Sequence, residues 1–194
     1  VTVGDGRRRA AVLILAACAW PATAAPVSYT LDPDHTQPAF EISHLGLSTY
    51  RGKFTSVRGK VLLDAEAGSG SLHVVIDADS LLTGSHLLDQ VLKGEDFFAV
   101  ERHPALIYKS SRVAFEDGRP VRVEGELTLA GVTRPVVLHV HSFRCTTHPL
   151  FRWRQVCGAD ASATLRRSEF GLTRYDNLLG DEVRLLIPVE ATRD

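Results

Sequence analysis

The chain has 194 residues, 44% of them hydrophobic, with 22 basic and 23 acidic side chains and a formal charge of −1. That balance contains no basic block of the kind that nucleic acid or a polybasic membrane anchor demands, so both are set aside. No Pro/Gly/Ser-rich linker, repeat or low-complexity tract divides the sequence, and residues 25–194 suffice for one domain with its own core.

Residues 1–24 read as an export signal. Arg7, Arg8 and Arg9 precede an uncharged apolar run over residues 10–20, and small residues follow at Ala22, Ala24 and Ala25. The run is shorter than the roughly 20 apolar residues a membrane span needs. Cleavage after Ala24 leaves a domain bound for the periplasm, and the loss of Asp5 and the three arginines leaves 19 basic and 22 acidic residues. Leu15-Ala16-Ala17-Cys18 also resembles a bacterial lipobox, so a lipoprotein anchored through Cys18 stands as the alternative. In an oxidising compartment the two remaining cysteines, Cys145 and Cys157, are expected to form a disulfide. A zinc site built from Cys145, His148 and Cys157 lacks a fourth ligand, and no metal is expected.

Beyond the signal the chain reads almost throughout as strand. An extended segment from Tyr29 turns at Asp32-Pro33-Asp34, after which Phe40, Ile42 and His44 alternate with polar neighbours. A second strand runs from Ser48 to Asp64, with bends expected at Gly52 and Gly59. Leu72, Val74, Ile76 and Ala78 then share one face of a half-buried strand. Residues 85–93 break the pattern: Leu87, Leu88, Val91 and Leu92 are spaced for one face of a short helix, which Gly94 is expected to stop. Phe97, Phe98 and His103-Pro104 follow, so residues 85–98 suit a plug that closes one mouth of a barrel. Leu106, Tyr108 and Ser110 resume the alternation. Val121, Val123, Gly125, Leu127 and Leu129 face inward in the cleanest period-two run, and Val136, Leu138 and Val140 repeat it after a hairpin at Ala130-Gly131. Ala159, Ala161, Ala163 and Leu165 set small residues on an inward face, which in a barrel leaves ligand space, and the last strand turns Val183, Leu185, Ile187 and Val189 inward. About eight antiparallel strands with one helical interruption predict an all-β barrel, the smallest size that holds a single small ligand.

Six segments in order carry a resemblance: residues 31–36 (LDPDHT), 40–46 (FEISHLG), 51–54 (RGKF), 96–98 (DFF) with His103-Pro104, 125–129 (GELTL) and 167–171 (RSEFG). Together they resemble the YceI-like family of bacterial proteins across nearly the whole of residues 25–194. Ala130 departs from the pattern, standing where many relatives carry arginine. The resemblance implies a lipocalin-like barrel that binds polyisoprenoid or related long-chain lipids, with no cofactor and no catalytic residue. At about 0.8 kcal/mol per buried CH₂, a prenyl chain can outweigh an association cost of roughly 4–15 kcal/mol.

The expected apolar tunnel is lined by Phe40, Ile42, Phe54, Val74, Leu88, Leu92, Phe98, Leu106, Tyr108 and Ala161. The expected polar head contacts are His35, Arg51, Asp89 and Arg167 near the mouth. The ligand class is a polyprenyl pyrophosphate or an isoprenoid quinone; a membrane-associated respiratory or envelope partner follows from the latter, and a homodimer is left open. Two other functions compete with the carrier. An enzyme would use His35 beside Asp32 and Asp34, but no nucleophile elbow, activated thiol or paired-histidine metal motif accompanies it. A non-lipid interaction module of the envelope would use a sheet edge.

Overall fold

A computed structural model describes residues 25–194; the expected signal segment and Cys18 lie outside the described residues. Among the described residues eleven strands form in chain order: β1 (Val27–Leu31), β2 (Ala39–His44), β3 (Ser48–Phe54), β4 (Val57–Asp64), β5 (Ser69–Asp77), β6 (Leu81–Leu82), β7 (Ala105–Glu116), β8 (Arg119–Leu129), β9 (Val132–Thr147), β10 (Gln155–Arg166) and β11 (Leu179–Arg193). One helix, α1 (His86–Lys93), lies between β6 and β7.

Alternation buries Val123, Leu127 and Leu129 of β8 against Val136 and Leu138 of β9, and the same inward face continues through Ala163 and Leu165 of β10. The ladders β1–β4–β5–β7–β8–β9–β10–β11 are antiparallel, and β11 returns to β1 with Tyr29 opposite Arg193, which closes the ring. β11 is long enough to do two things. Its C-terminal half pairs with β1, and its N-terminal half pairs with β2, Val183 opposite Ile42.

β1 and β2 are therefore two halves of one broken strand, β4 and β3 are the halves of the next, and β6 continues β5. Counted so, eight strands close a lipocalin-like barrel, as the sequence predicts. Side chains replace the ladder bonds lost at the breaks. Thr36 is buried, and its hydroxyl donates to the Glu190 carbonyl and accepts from the Glu190 amide, both at 3.1 Å. Ser80 Oγ accepts from the amides of Thr55 at 3.2 Å and Ser56 at 3.1 Å, between β3 and β4.

The breaks fall at these turns and not at Gly52 or Gly59, where bends were expected. Both glycines lie inside strands, where a Cβ would stand 2.5 Å from the Phe40 ring or 2.6 Å from the His73 carbonyl. Their role is close approach. Gly94 does end α1, but in an extended conformation (φ −71°, ψ 175°) and not the left-handed one usual at helix ends. Val121, expected inward, is the extra residue of a bulge, because Phe115 pairs with Pro120 and Ala114 with Arg122. Pro120 takes the buried place.

Cys145 and Cys157 stand opposite each other in the β9–β10 ladder and are disulfide-bonded, with Cα atoms 4.0 Å apart. The bond removes both thiols from any zinc site. His148 is occupied elsewhere, its Nδ1 accepting from the Leu150 and Phe151 amides at 3.1 and 3.0 Å. Around the disulfide, Tyr29, Leu31, Val57, Cys157 and Ala191 form a second buried cluster that closes this end of the barrel.

Candidate functional site: an apolar cavity under a helical plug

At the opposite end no strand fills the gap beyond β6, and residues 85–104 occupy it. Ser85 caps α1, accepting from the Leu88 amide, and Lys93 in the last turn pairs with Asp79 at 3.0 Å. Exposure divides the single face expected of the helix: Leu88 and Leu92 turn to the barrel, whereas Leu87 and Val91 are exposed at the mouth. Beyond the helix, Phe97 is buried and stacks on Tyr175, with centroids 6.1 Å apart. Phe98 meets the edge of Phe54 at 5.6 Å and lies 6.3 Å from Phe40. These contacts pin the plug across the mouth.

Beneath it the barrel holds a cavity of about 580 Å³, within the roughly 300–1,000 Å³ of small-molecule sites. It runs from Val61, Leu72 and Val189 deep in the barrel to Leu87 and Leu178 at the mouth. Phe40, Ile42, Phe54, Val74, Leu88, Leu92, Phe98, Leu106 and Tyr108 all lie on its wall. Ala161 does not. It sits between Val140 and Ile187 in the ladders, on the inward face, and Ile187 is the wall residue there. Ala163 of the same stripe is buried in the core cluster.

Tyr108 is the main polar group deep in the wall. Its ring lies against Gly125, where a Cβ would stand 2.7 Å from the hydroxyl, and the hydroxyl is 3.1 Å from the Val136 carbonyl and 3.3 Å from that of Val123. Burial pushes the phenol above its ordinary pKa, so it stays a neutral donor turned to the backbone.

The four expected polar contacts separate into two pairs. Arg167 and Arg51 border the cavity. Arg167 is 5% exposed and is consumed by backbone: Nε donates to the Gly180 carbonyl at 3.0 Å, and Nη1 donates to the carbonyls of Arg174 at 2.8 Å and of Leu172. It folds the loop of residues 171–178 against the barrel. The Arg51 side chain is 67% exposed at the mouth and pairs with Glu41 at 2.7 Å.

His35 and Asp89 do not reach the cavity wall, because each is held by a residue close in sequence. His35 is exposed, with Nδ1 2.9 Å from Asp32, and that hydrogen bond raises its pKa. Asp89 accepts from the amide and the hydroxyl of Thr83, both at 2.7 Å, which lowers its pKa and fixes the turn before α1. Among the wall residues that went unselected in the sequence are His44 and Tyr50, whose rings meet edge to face at 4.8 Å near Arg51. The signal for His44 is the alternation itself, which sets it on the face of Phe40 and Ile42.

The YceI-like domain pattern matches residues 29–191. A UPF0312 protein of Pectobacterium carotovorum is 32% identical over 178 residues, 91% of each chain, and one of Pseudomonas aeruginosa is 31% identical over 168 residues, 85% of this chain and 86% of the other. Among solved structures, Burkholderia cenocepacia BcnA superposes with a TM-score of 0.67 at 22% identity, covering 82% of this chain and 98% of its own. A polyisoprenoid-binding domain from Saccharophagus degradans superposes with a TM-score of 0.62 at 15% identity, covering 87% and 99%. The match across nearly all of the barrel and the identity to the Pectobacterium relative lead to one conclusion: the chain belongs to the YceI-like family.

Proposed function

We propose that this protein is an exported carrier that holds the hydrocarbon chain of an isoprenoid lipid in the barrel. The observation that carries the reading is the continuous apolar cavity of about 580 Å³ beneath the plug. A wall of this length without charged groups in its depth suits a chain and offers no grip to a polar solute. The Saccharophagus degradans domain of the same fold is a polyisoprenoid-binding one, which supports the same ligand class. His44, Tyr50 and Arg51 at the mouth are the groups placed to meet a head, either a pyrophosphate or a quinone ring. The proposal assigns no catalytic step. His35, the enzyme candidate, is exposed and tied to Asp32 outside the cavity wall.

Purified protein extracted with organic solvent should yield a prenyl lipid by mass spectrometry. Protein that carries none and takes up none from detergent micelles contradicts the reading. The head group is distinguished by Arg51→Ala, which weakens binding of a prenyl pyrophosphate and leaves that of a prenyl quinone unchanged.

A further inference from the structure

The apolar wall of the cavity does not stop at the mouth. Leu87, Val91, Tyr175 and Leu178 line the cavity and are exposed to solvent, and Leu45 and Leu47 extend the same surface at the tip of the β2–β3 hairpin. Leu47 is 83% and Leu87 72% exposed. Three separate elements thus present exposed apolar side chains at the mouth, two of them joined where the Leu45 amide donates to the Leu178 carbonyl at 2.7 Å. Isolated exposed leucines need no explanation, but a ring of them around an opening does.

The charges beside the ring say what it meets. Arg51, Lys93 and Arg174 are each paired with a carboxylate of the protein itself, Glu41, Asp79 and Asp96. Each of these three cations is balanced by a carboxylate, so the mouth attracts an extended surface through hydrocarbon, whereas a single anionic head can still compete with Glu41 for Arg51.

Building on the carrier reading, we propose that the mouth docks on a phospholipid bilayer, with Leu47 and Leu87 entering the interface so that the cavity opens directly onto the acyl region. A prenyl chain then moves along one apolar path, from leaflet to wall, without crossing water. The other exposed aromatic cluster, Phe151 and Trp153 on the β9–β10 hairpin, is at the opposite end and faces away from the membrane in this orientation.

The test uses residues 25–194, which contain the entire closed barrel and a single tryptophan, Trp153. The protein should bind vesicles of phosphatidylcholine, and Leu45→Glu with Leu47→Glu, neither of which lines the cavity, should weaken that binding about tenfold or more. Uptake of a prenyl lipid from detergent micelles by the same variant should stay within about twofold of wild type. With brominated acyl chains, Trp153 should remain unquenched, whereas Leu47→Trp in a Trp153→Phe background should be quenched. Equal vesicle binding by the double variant, quenching of Trp153, or a dimer in solution that buries the ring would each overturn the proposal. A wild type that takes lipid from micelles but ignores vesicles sinks the docking alone, and one that does neither sinks the carrier reading as well.

Discussion

At the closed end, Cys145 faces Cys157 in the ladder, and Tyr29, Val57 and Ala191 form one buried cluster with Cys157. At the mouth, Leu88, Leu92, Phe97 and Phe98 stand where no strand runs, and the barrel beneath them is hollow. Both ends are apolar, so composition does not separate them. What differs is who completes the packing: at one end the chain's own side chains and a covalent bond, at the other a short helix held by Ser85, Asp89 and a few ring contacts. The covalent constraint lies at the first and the cavity at the second, and the same kind of substitution should do different things at each.

The largest effect is expected where the plug meets the wall. Phe54 is buried against Phe40 and Phe98, and Phe54→Ala should cost about 3–5 kcal/mol in urea denaturation. Leu88→Ala, on a side chain that already borders empty volume, should fall below the ~2–5 kcal/mol usual for a packed leucine. Equal costs at Leu88 and at a packed leucine would erase the contrast between hollow and filled regions.

Reduction of the disulfide comes next. Its partners are 12 residues apart, and chain entropy for a loop of that size puts the loss near 3 kcal/mol. Thermal melts with and without reductant should show the loss, while prenyl-lipid affinity measured at a temperature where both forms are folded should not change. A parallel fall in affinity would mean that the two ends are coupled.

Arg167→Met removes charged donors from the carbonyls of Leu172, Arg174 and Gly180, and should cost about 1.5–3 kcal/mol. Hydrogen exchange should rise in residues 171–180 before it rises anywhere in β8 or β9.

The smallest effect belongs to the exposed Asp32 and His35 pair. The hydrogen bond to Asp32 raises the His35 pKa, so its contribution is complete below about 6.5 and is lost as pH climbs through the raised folded value. Burial opposes ionisation of Asp32, but His35 and the Asp34 amide outweigh it and lower its pKa, so that contribution is present above about 3.9 and lost as pH falls through the lowered value. Melting curves should show a shallow stability maximum between those limits that flattens in His35→Gln. An unchanged profile would remove this pair from the account.

The helix and most of the cavity wall were legible in the sequence because each rests on a long periodic pattern. Leu88 and Leu92 lie one turn apart, and Phe40, Ile42, Val74, Leu106 and Tyr108 fall on alternating faces that the sheet preserves. The polar contacts were harder to read. The side chains of His35 and Asp89 were captured by Asp32 and Thr83, a few residues away, and motif membership carries no information about such local bonds. Ala161 stands off the cavity wall for a different reason: small inward residues indicate volume, but not whether neighbours such as Val140 and Ile187 take it. The breaks in the first strands escaped because Thr36 and Ser80 stand in for the missing ladder bonds, and a single hydroxyl leaves no period behind.

Filling the interior decides whether it is ligand space. Ile42 and Leu185 are half-buried wall residues, and Ile42→Trp with Leu185→Trp places bulk where the lipid is proposed to lie. Uptake of a prenyl lipid from micelles should fall at least about tenfold, while the melting temperature of the empty protein stays within about 4 °C of wild type. Failure of the wild type to take up any prenyl lipid, together with unfolding of the doubly substituted protein, would show a packed core and contradict the account.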